Sequence, residues 1–247
     1  MTPSAIVLLF ALAALAWITW QDRAQFAAFK LYTATEDRQR LYRLWLVESL
    51  AFFAAGSLAA LAIIGQIGAT VREPEAFQPL SAAIRAGLPS HIRTEFAVGI
   101  AIGAGVSLIV GLIAARRGGR GGVIQLGDIG PLIPRNGAEM TLAGLLSLAA
   151  GLGEELFFRL LLPLLLVQLG APPLPAFILA TVVFGLAHLY QGWVGILATA
   201  VIGAALAALY LGSGALWLAM AVHAAFDLFG LVIRPGLTRL ASARSAS

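Results

Sequence analysis

Three short motifs place ionisable side chains where the surrounding sequence is almost wholly apolar. The first is Glu154-Glu155-x-x-x-Arg159, the second Phe184-x-x-x-His188 and the third His223-x-x-x-Asp227. Residues four apart on a helix share a face, so Glu155 can pair with Arg159, Phe184 lies beside His188, and Asp227 can fix the orientation of His223. Glu154 sits about 100° round the helix from Glu155, so one carboxylate can be neutralised while its neighbour stays free. Each charge in mid-membrane costs about 2.5–3.5 kcal/mol, so the set needs a function or a partner to offset it. A carboxylate can take a proton from water, and imidazoles can orient that water and stabilise a tetrahedral oxyanion. The expected catalytic residues are Glu154, His188, His223 and Asp227, with Glu155, Arg159 and Phe184 in support. The same four could instead hold one divalent metal such as Zn²⁺, since two His plus a carboxylate leave a position for water. The His-Glu-x-x-His pattern of zincins is missing.

The elements that carry these motifs are membrane helices. Of 247 residues, 60% are hydrophobic and 11% charged, against about 25% charged in a soluble domain. Long apolar runs predict an all-α, polytopic transmembrane bundle of about seven spans: 3–20, 44–67, 96–115, 140–168, 174–190, 193–211 and 214–233. The first connections are long and charged. The later ones are Gly- and Pro-marked turns, so the last four spans form a compact catalytic core. This divides the chain into 1–139, with N-terminal helices, an interfacial segment and loops, and 140–247, the core with a short tail. The segment Pro3 to Trp20 lacks a basic n-region and reads as a retained helix. Ala24 to Arg43 mixes Phe26, Phe29, Leu31 and Tyr32 with charges and reads as an amphipathic interfacial helix. Gly195, Thr199, Gly203 and Ala207 make a small-residue stripe for close helix packing. There is no cysteine, which excludes disulfides and thiolate chemistry.

Basic residues set the expected orientation. With the N-terminus outside, the inner segments hold Arg23, Lys30, Arg38, Arg40, Arg43, Arg116, Arg117, Arg120, Arg135, Arg234, Arg239 and Arg244, against Arg72, Arg85 and Arg93 outside. Lys and Arg favour the cytoplasmic side, so the termini are expected N-out and C-in. The net charge of +4 follows from these loops and implies no nucleic-acid partner; the Arg116 to Gly122 run reads as a cytoplasmic loop. In this orientation Glu154, His188, His223 and Asp227 can meet in the cytoplasmic half of the bilayer, while His91 falls in an outer loop.

The three motifs, in order and each in a span, resemble those of the CPBP family, the CAAX proteases and bacteriocin-processing enzymes also called the Abi family, which includes type II CAAX prenyl proteases. Phe158, Pro163 and the stretch Leu209 to Trp217 agree with it as well, and the resemblance covers about residues 140–233. It implies an intramembrane endopeptidase in which Glu154 and His188 activate water while His223 and Asp227 stabilise the oxyanion. Many members have Asn where Asp227 stands; Asp donates only when protonated, so here it is expected to orient His223 or bind a cation. Both metal-dependent and glutamate-dependent mechanisms are argued for the family. The expected substrate is a membrane protein or peptide, and the Ala/Gly/Arg-rich composition points to a bacterial inner (plasma) membrane, where a prenylated substrate is not expected. Two other readings compete: a non-catalytic scaffold of the same family with an immunity or regulatory role, and a proton-coupled transporter, although no inverted repeat is visible.

Overall fold

The computed structural model describes residues 1–87 and 128–237, together with Arg239. The described residues are helical, with no strand among them. Helix α1 is Pro3–Leu31, opened by Thr2, whose hydroxyl accepts from the amide of Ala5 at 3.3 Å. Helix α2 spans Thr35–Ile63 and widens into a π-helical stretch at Ser49–Gly56. Helix α3, Gln78–Gly87, is short and amphipathic and turns Leu80 and Ile84 onto the core. Helix α4 runs over residues 137–168, α5 over Pro173–Ala187, α6 over Gly192–Ser213 and α7 over Leu216–Leu237.

By length and composition α1, α2, α6 (with the turn before it) and α7 can each cross a membrane, and α5 is a shorter apolar helix. The chain is therefore a membrane-embedded helical bundle. The expected spans 3–20, 140–168 and 193–211 lie within these helices, while 44–67, 174–190 and 214–233 overrun theirs by two to four residues. The expected span 96–115, His91 and the Arg116 to Gly122 run lie outside the described residues.

Helix α4 is the axis. Every residue from Glu155 to Leu165 is buried, so the charges of this helix face protein rather than lipid. Asn136 caps its start, accepting from the amide of Glu139 at 2.9 Å. A π-helical turn spans Leu156–Leu161. Pro163 follows it and has no N–H to return to the carbonyl of Arg159, so the ladder there relaxes into the wider turn. Such turns are frequent at functional sites.

The connections fix an antiparallel order. Ser4 donates to Gln168 at 2.6 Å, so α4 ends beside the start of α1. Gly170 (φ 97°) and Gly192 (φ 76°) turn the chain into α5 and α6. At the opposite end Phe26 packs on Tyr190, and Lys30 pairs with Asp128. Arg85 donates to the carbonyl of Leu211 near the Ser4 end, whereas the amide of Asp128 bonds Gln191 at the other.

The segment Ala24 to Arg43 is not one interfacial helix. A turn at residues 32–34 divides it between the end of α1 and the start of α2. Phe26, Phe29, Arg38 and Tyr42 are buried within it, because the guanidinium of Arg38 lies over the Phe29 ring at 4.2 Å and turns that face inward.

Close backbone approach seats α4 between its neighbours. A Cβ added at Gly151 would stand 2.7 Å from Ala224 of α7, and one at Gly153 would stand 2.9 Å from Phe53 of α2. In lipid, where burial of apolar surface gives little drive, such contacts hold helices together. The stripe Gly195, Thr199, Gly203 and Ala207 is likewise buried along α6. An aromatic ladder ties three helices: Phe53 to Phe157 at 5.6 Å, Phe157 to Phe158 at 4.8 Å and Phe158 to Phe184 at 5.0 Å. Each such pair contributes about 0.5–1.5 kcal/mol beyond its area.

Candidate active site

Glu154 stands on α4 one residue past Gly153, held by the two close contacts just described. Its Oε2 is buried and has no hydrogen-bond partner among the described residues. It lies 4.0 Å from Nε2 of His188. His188 follows α5, whose last turn it closes with an amide bond to the carbonyl of Gly185. Its Nδ1 is 2.8 Å from the carbonyl oxygen of Phe184. A carbonyl can only accept, so Nδ1 carries the proton and Nε2 presents a lone pair towards Glu154. Two acceptors thus face each other across a gap too wide for a direct bond. A water about 2.8 Å from each would donate one hydrogen to each acceptor.

His223 is buried on α7. Its Nδ1 is 2.8 Å from Oε1 of Glu155, and its Nε2 is 3.7 Å from Oδ2 of Asp227. The sequence assigned Asp227 as the carboxylate that orients this imidazole. The structure gives the nearer contact to Glu155, and the Asp227 separation is longer than a hydrogen bond. The i,i+4 rule sees only partners within one helix, whereas Glu155 reaches His223 from another. Oε1 of Glu155 is also 3.0 Å from Nη1 of Arg159, as the spacing predicted. Arg159 donates from Nη2 to the carbonyl of Gly203 at 3.3 Å, and its guanidinium lies 4.1 Å from the centroid of Phe184. Phe184 therefore serves twice. Its carbonyl fixes the His188 tautomer, and its ring packs against Arg159 and both imidazoles, 4.9 Å from His188 and 6.1 Å from His223. A Cβ at Gly203 would meet that ring at 2.7 Å, which makes glycine there part of the same seat.

All seven residues singled out by the sequence thus meet in one cluster built from α4, α5 and α7. Among the described residues no three His, Asp or Glu side chains are arranged to hold a metal ion. Glu154 and His188 offer two donors, while zinc in hydrolytic sites takes three protein ligands and a water, so the donor set does not fit a zinc centre.

Several contributors were not singled out. Gly151 and Gly153 precede Glu154 and were legible as a Gly-Leu-Gly run. Tyr190 and Gln191 follow His188 in the turn Leu189–Gln191. The cluster of Thr35, Arg38, Asn136 and Glu139 at the start of α4 had no signal beyond its residue types, because its members are far apart in sequence.

An apolar membrane bundle with a buried carboxylate–imidazole pair defines the class to which known proteins can be compared. Residues 136–229 match the family model described as Type II CAAX prenyl endopeptidase Rce1-like, a family of proteases. The resemblance read from the three motifs is borne out over that segment, which holds every residue of the cluster. Among curated proteins and among solved structures, nothing matches the chain.

Proposed function

We propose that this chain is an intramembrane endopeptidase that hydrolyses a peptide bond of a membrane-associated protein or peptide. The observation that carries the reading is the buried, unpartnered Oε2 of Glu154 facing the lone-pair side of His188 at 4.0 Å. Water held between them gives its proton to Glu154 as its oxygen attacks the scissile carbonyl carbon. The C–N bond then breaks, and the proton passes from Glu154 to the departing amine nitrogen. One water is consumed, and one carboxylate and one amine are released. His223, held by Glu155, and Asp227 line the side where the oxyanion forms. The family match over the same residues supports a proteolytic reading.

In this proposal the N-terminus faces outward, the C-terminus lies in the cytoplasm, and the membrane is the inner (plasma) membrane. Support comes from the basic residues Lys30, Arg38, Arg40, Arg43, Arg135, Arg234 and Arg239, which belong to the Lys30 end of the bundle, against Arg72 and Arg85 at the other. The four catalytic residues lie between mid-bundle and the Lys30 end, so the scissile bond enters from the cytoplasmic half.

The test is hydrolysis by the purified full chain in phospholipid vesicles. The probes are an internally quenched farnesylated peptide ending in Cys-aliphatic-aliphatic-X and a set of unprenylated, membrane-inserting quenched peptides, assayed in H₂¹⁸O. The expected result is cleavage with one heavy oxygen in the new carboxyl, reduced about 10²–10⁴-fold in His188→Ala. Cleavage of no probe, or an unchanged rate in His188→Ala, overturns the reading.

A further inference from the structure

An open groove of about 370 Å³ runs between α1 and the end of α5, and none of the seven clustered residues lines it. Leu12, Leu15, Thr19 and Arg23 form its α1 wall, and Val183 and Leu189 bound it from the other side. The four α1 positions are three and four apart, so they make one stripe along a single helix face. Both walls run from the Ser4 end of the bundle to the Lys30 end.

The stripe is graded in polarity. Leu12 and Leu15 are apolar, Thr19 adds a hydroxyl, and Arg23 adds a guanidinium beside the exposed indole of Trp20. Among the described residues neither the Thr19 hydroxyl nor Arg23 has a hydrogen bond or an ion pair. Lys30, Arg38 and Arg135, at the same end, each have a partner within the chain. Asp22 lies about 100° round the helix from Arg23, and no acidic side chain lines the groove. From Leu12 to Arg23 the helix rises about 16–17 Å, close to one leaflet of a hydrocarbon core about 30 Å thick. The same length of α-helix would fill on the order of 1,300 Å³, so the groove takes a single chain rather than a helix. Apolar wall, hydroxyl, indole and cation follow the order of an amphiphile in one leaflet: acyl chain, ester carbonyls, phosphate. Tryptophan is favoured at that interfacial level.

We infer that this groove binds one anionic glycerophospholipid from the leaflet at the Lys30 end. An acyl chain lies between α1 and α5, the Thr19 hydroxyl donates to an ester carbonyl, and Arg23 pairs with the phosphate. Nothing acidic on the walls meets the cation of a zwitterionic headgroup, so a headgroup of net negative charge is preferred. The site is independent of the endopeptidase reading, since lipid binding needs no peptide to be cut.

The experiment titrates the full chain, purified in detergent, with dioleoyl phosphatidylglycerol and separately with dioleoyl phosphatidylcholine. Native mass spectrometry counts the bound lipids, and thermal melting follows the same samples. Wild type should hold one phosphatidylglycerol about five-fold more tightly than phosphatidylcholine and melt higher in its presence. Arg23→Gln should lose that preference. Ala16→Phe, at an exposed position that lines the groove, should fill it and lose the bound lipid. Arg40→Gln removes an exposed charge outside the groove and should bind as wild type. Equal losses in Arg40→Gln and Arg23→Gln would mean diffuse attraction to a basic surface and would overturn the site. So would wild type that retains no phosphatidylglycerol, or wild-type binding in both groove variants. Should Ala16→Phe fail to fold, the comparison of Arg23→Gln with Arg40→Gln decides. A groove that seats the substrate peptide instead would show in Ala16→Phe as a raised KM with lipid binding unchanged, and that result also overturns the assignment.

Discussion

Two buried acidic–basic clusters hold helix α4, one at its start and one at its middle; each leaves one arginine Nη1 without a hydrogen bond, and they differ in what they leave over of their carboxylates. At the start, both oxygens of Glu139 are occupied. Oε1 accepts from Thr35 at 2.8 Å and from Asn136 at 3.2 Å; Oε2 accepts from Arg38 at 3.1 Å and from the amide of Arg135 at 2.8 Å. Arg38 also reaches the carbonyls of Pro131 and Ile133. At the middle, Oε1 of Glu155 takes both His223 and Arg159, while Oε2 of Glu155 and Oε2 of Glu154 have no partner. Unpaired buried oxygens are costly, and a cluster that served only to join helices would fill them as Glu139 does. A saturated carboxylate is a fastener, whereas a carboxylate with a spare oxygen beside an unprotonated imidazole nitrogen is equipped to handle a proton.

The contrast breaks most visibly at Arg38. Its loss leaves a buried carboxylate without a counter-charge, so Arg38→Ala should destabilise by about 3–5 kcal/mol. The measurement is the folded, monodisperse yield and the unfolding midpoint in denaturing detergent. The fraction that folds should keep its turnover per molecule. Arg159→Ala comes next, at about 1.5–3 kcal/mol, because Glu155 retains the imidazole of His223. Here turnover per folded molecule should fall too, since His223 is then held by a carboxylate that has lost its other anchor. If Arg38→Ala proves the milder change, the division between fastener and working site is wrong.

Packing sharpens the comparison through two glycines on α4. An added methyl at Gly151 collides with the α7 backbone at Ala224, and Gly151→Ala should cost about 1–3 kcal/mol. It should also lower kcat by shifting His223 from Glu155. At Gly144 the nearest atoms to an added Cβ are side-chain carbons of Leu228 and Val232, 3.7 and 3.8 Å away. Gly144→Ala should therefore be neutral or stabilising by up to about 1 kcal/mol. Thermal melting of the pair checks the difference, and equal effects would mean that α4 and α7 are not in backbone contact.

The chemistry of the middle cluster was legible in the sequence because ionisable residues in apolar runs stand out, and i,i+4 spacing named the Glu155–Arg159 pair correctly. Contacts between helices were not legible. The carboxylate nearest His223 is Glu155 of α4, and spacing along α7 pointed only to Asp227. The fastener at Glu139 was hidden for the same reason. Arg38 and Glu139 each sit near charged loop sequence, and nothing in a single chain reading distinguishes a solvated arginine from one enclosed against Phe29. The spans 3–20, 140–168 and 193–211 were read within their helices, whereas 44–67 overran Ile63 because apolar residues continue past the helix end. The reading failed at Ala24 to Arg43, where a turn at residues 32–34 carries neither Gly nor Pro to mark it.

The central claim is that Glu154 is the proton acceptor, and Glu154→Gln tests it directly. Gln fills the same volume and keeps one oxygen towards His188, but it cannot take a proton from water. The purified variant, in vesicles with a peptide that wild type cleaves, should melt with wild type and bind the peptide with unchanged affinity. Its single-turnover hydrolysis should fall by about 10²–10⁴-fold. Hydrolysis by Glu154→Gln at a rate close to wild type would contradict the account.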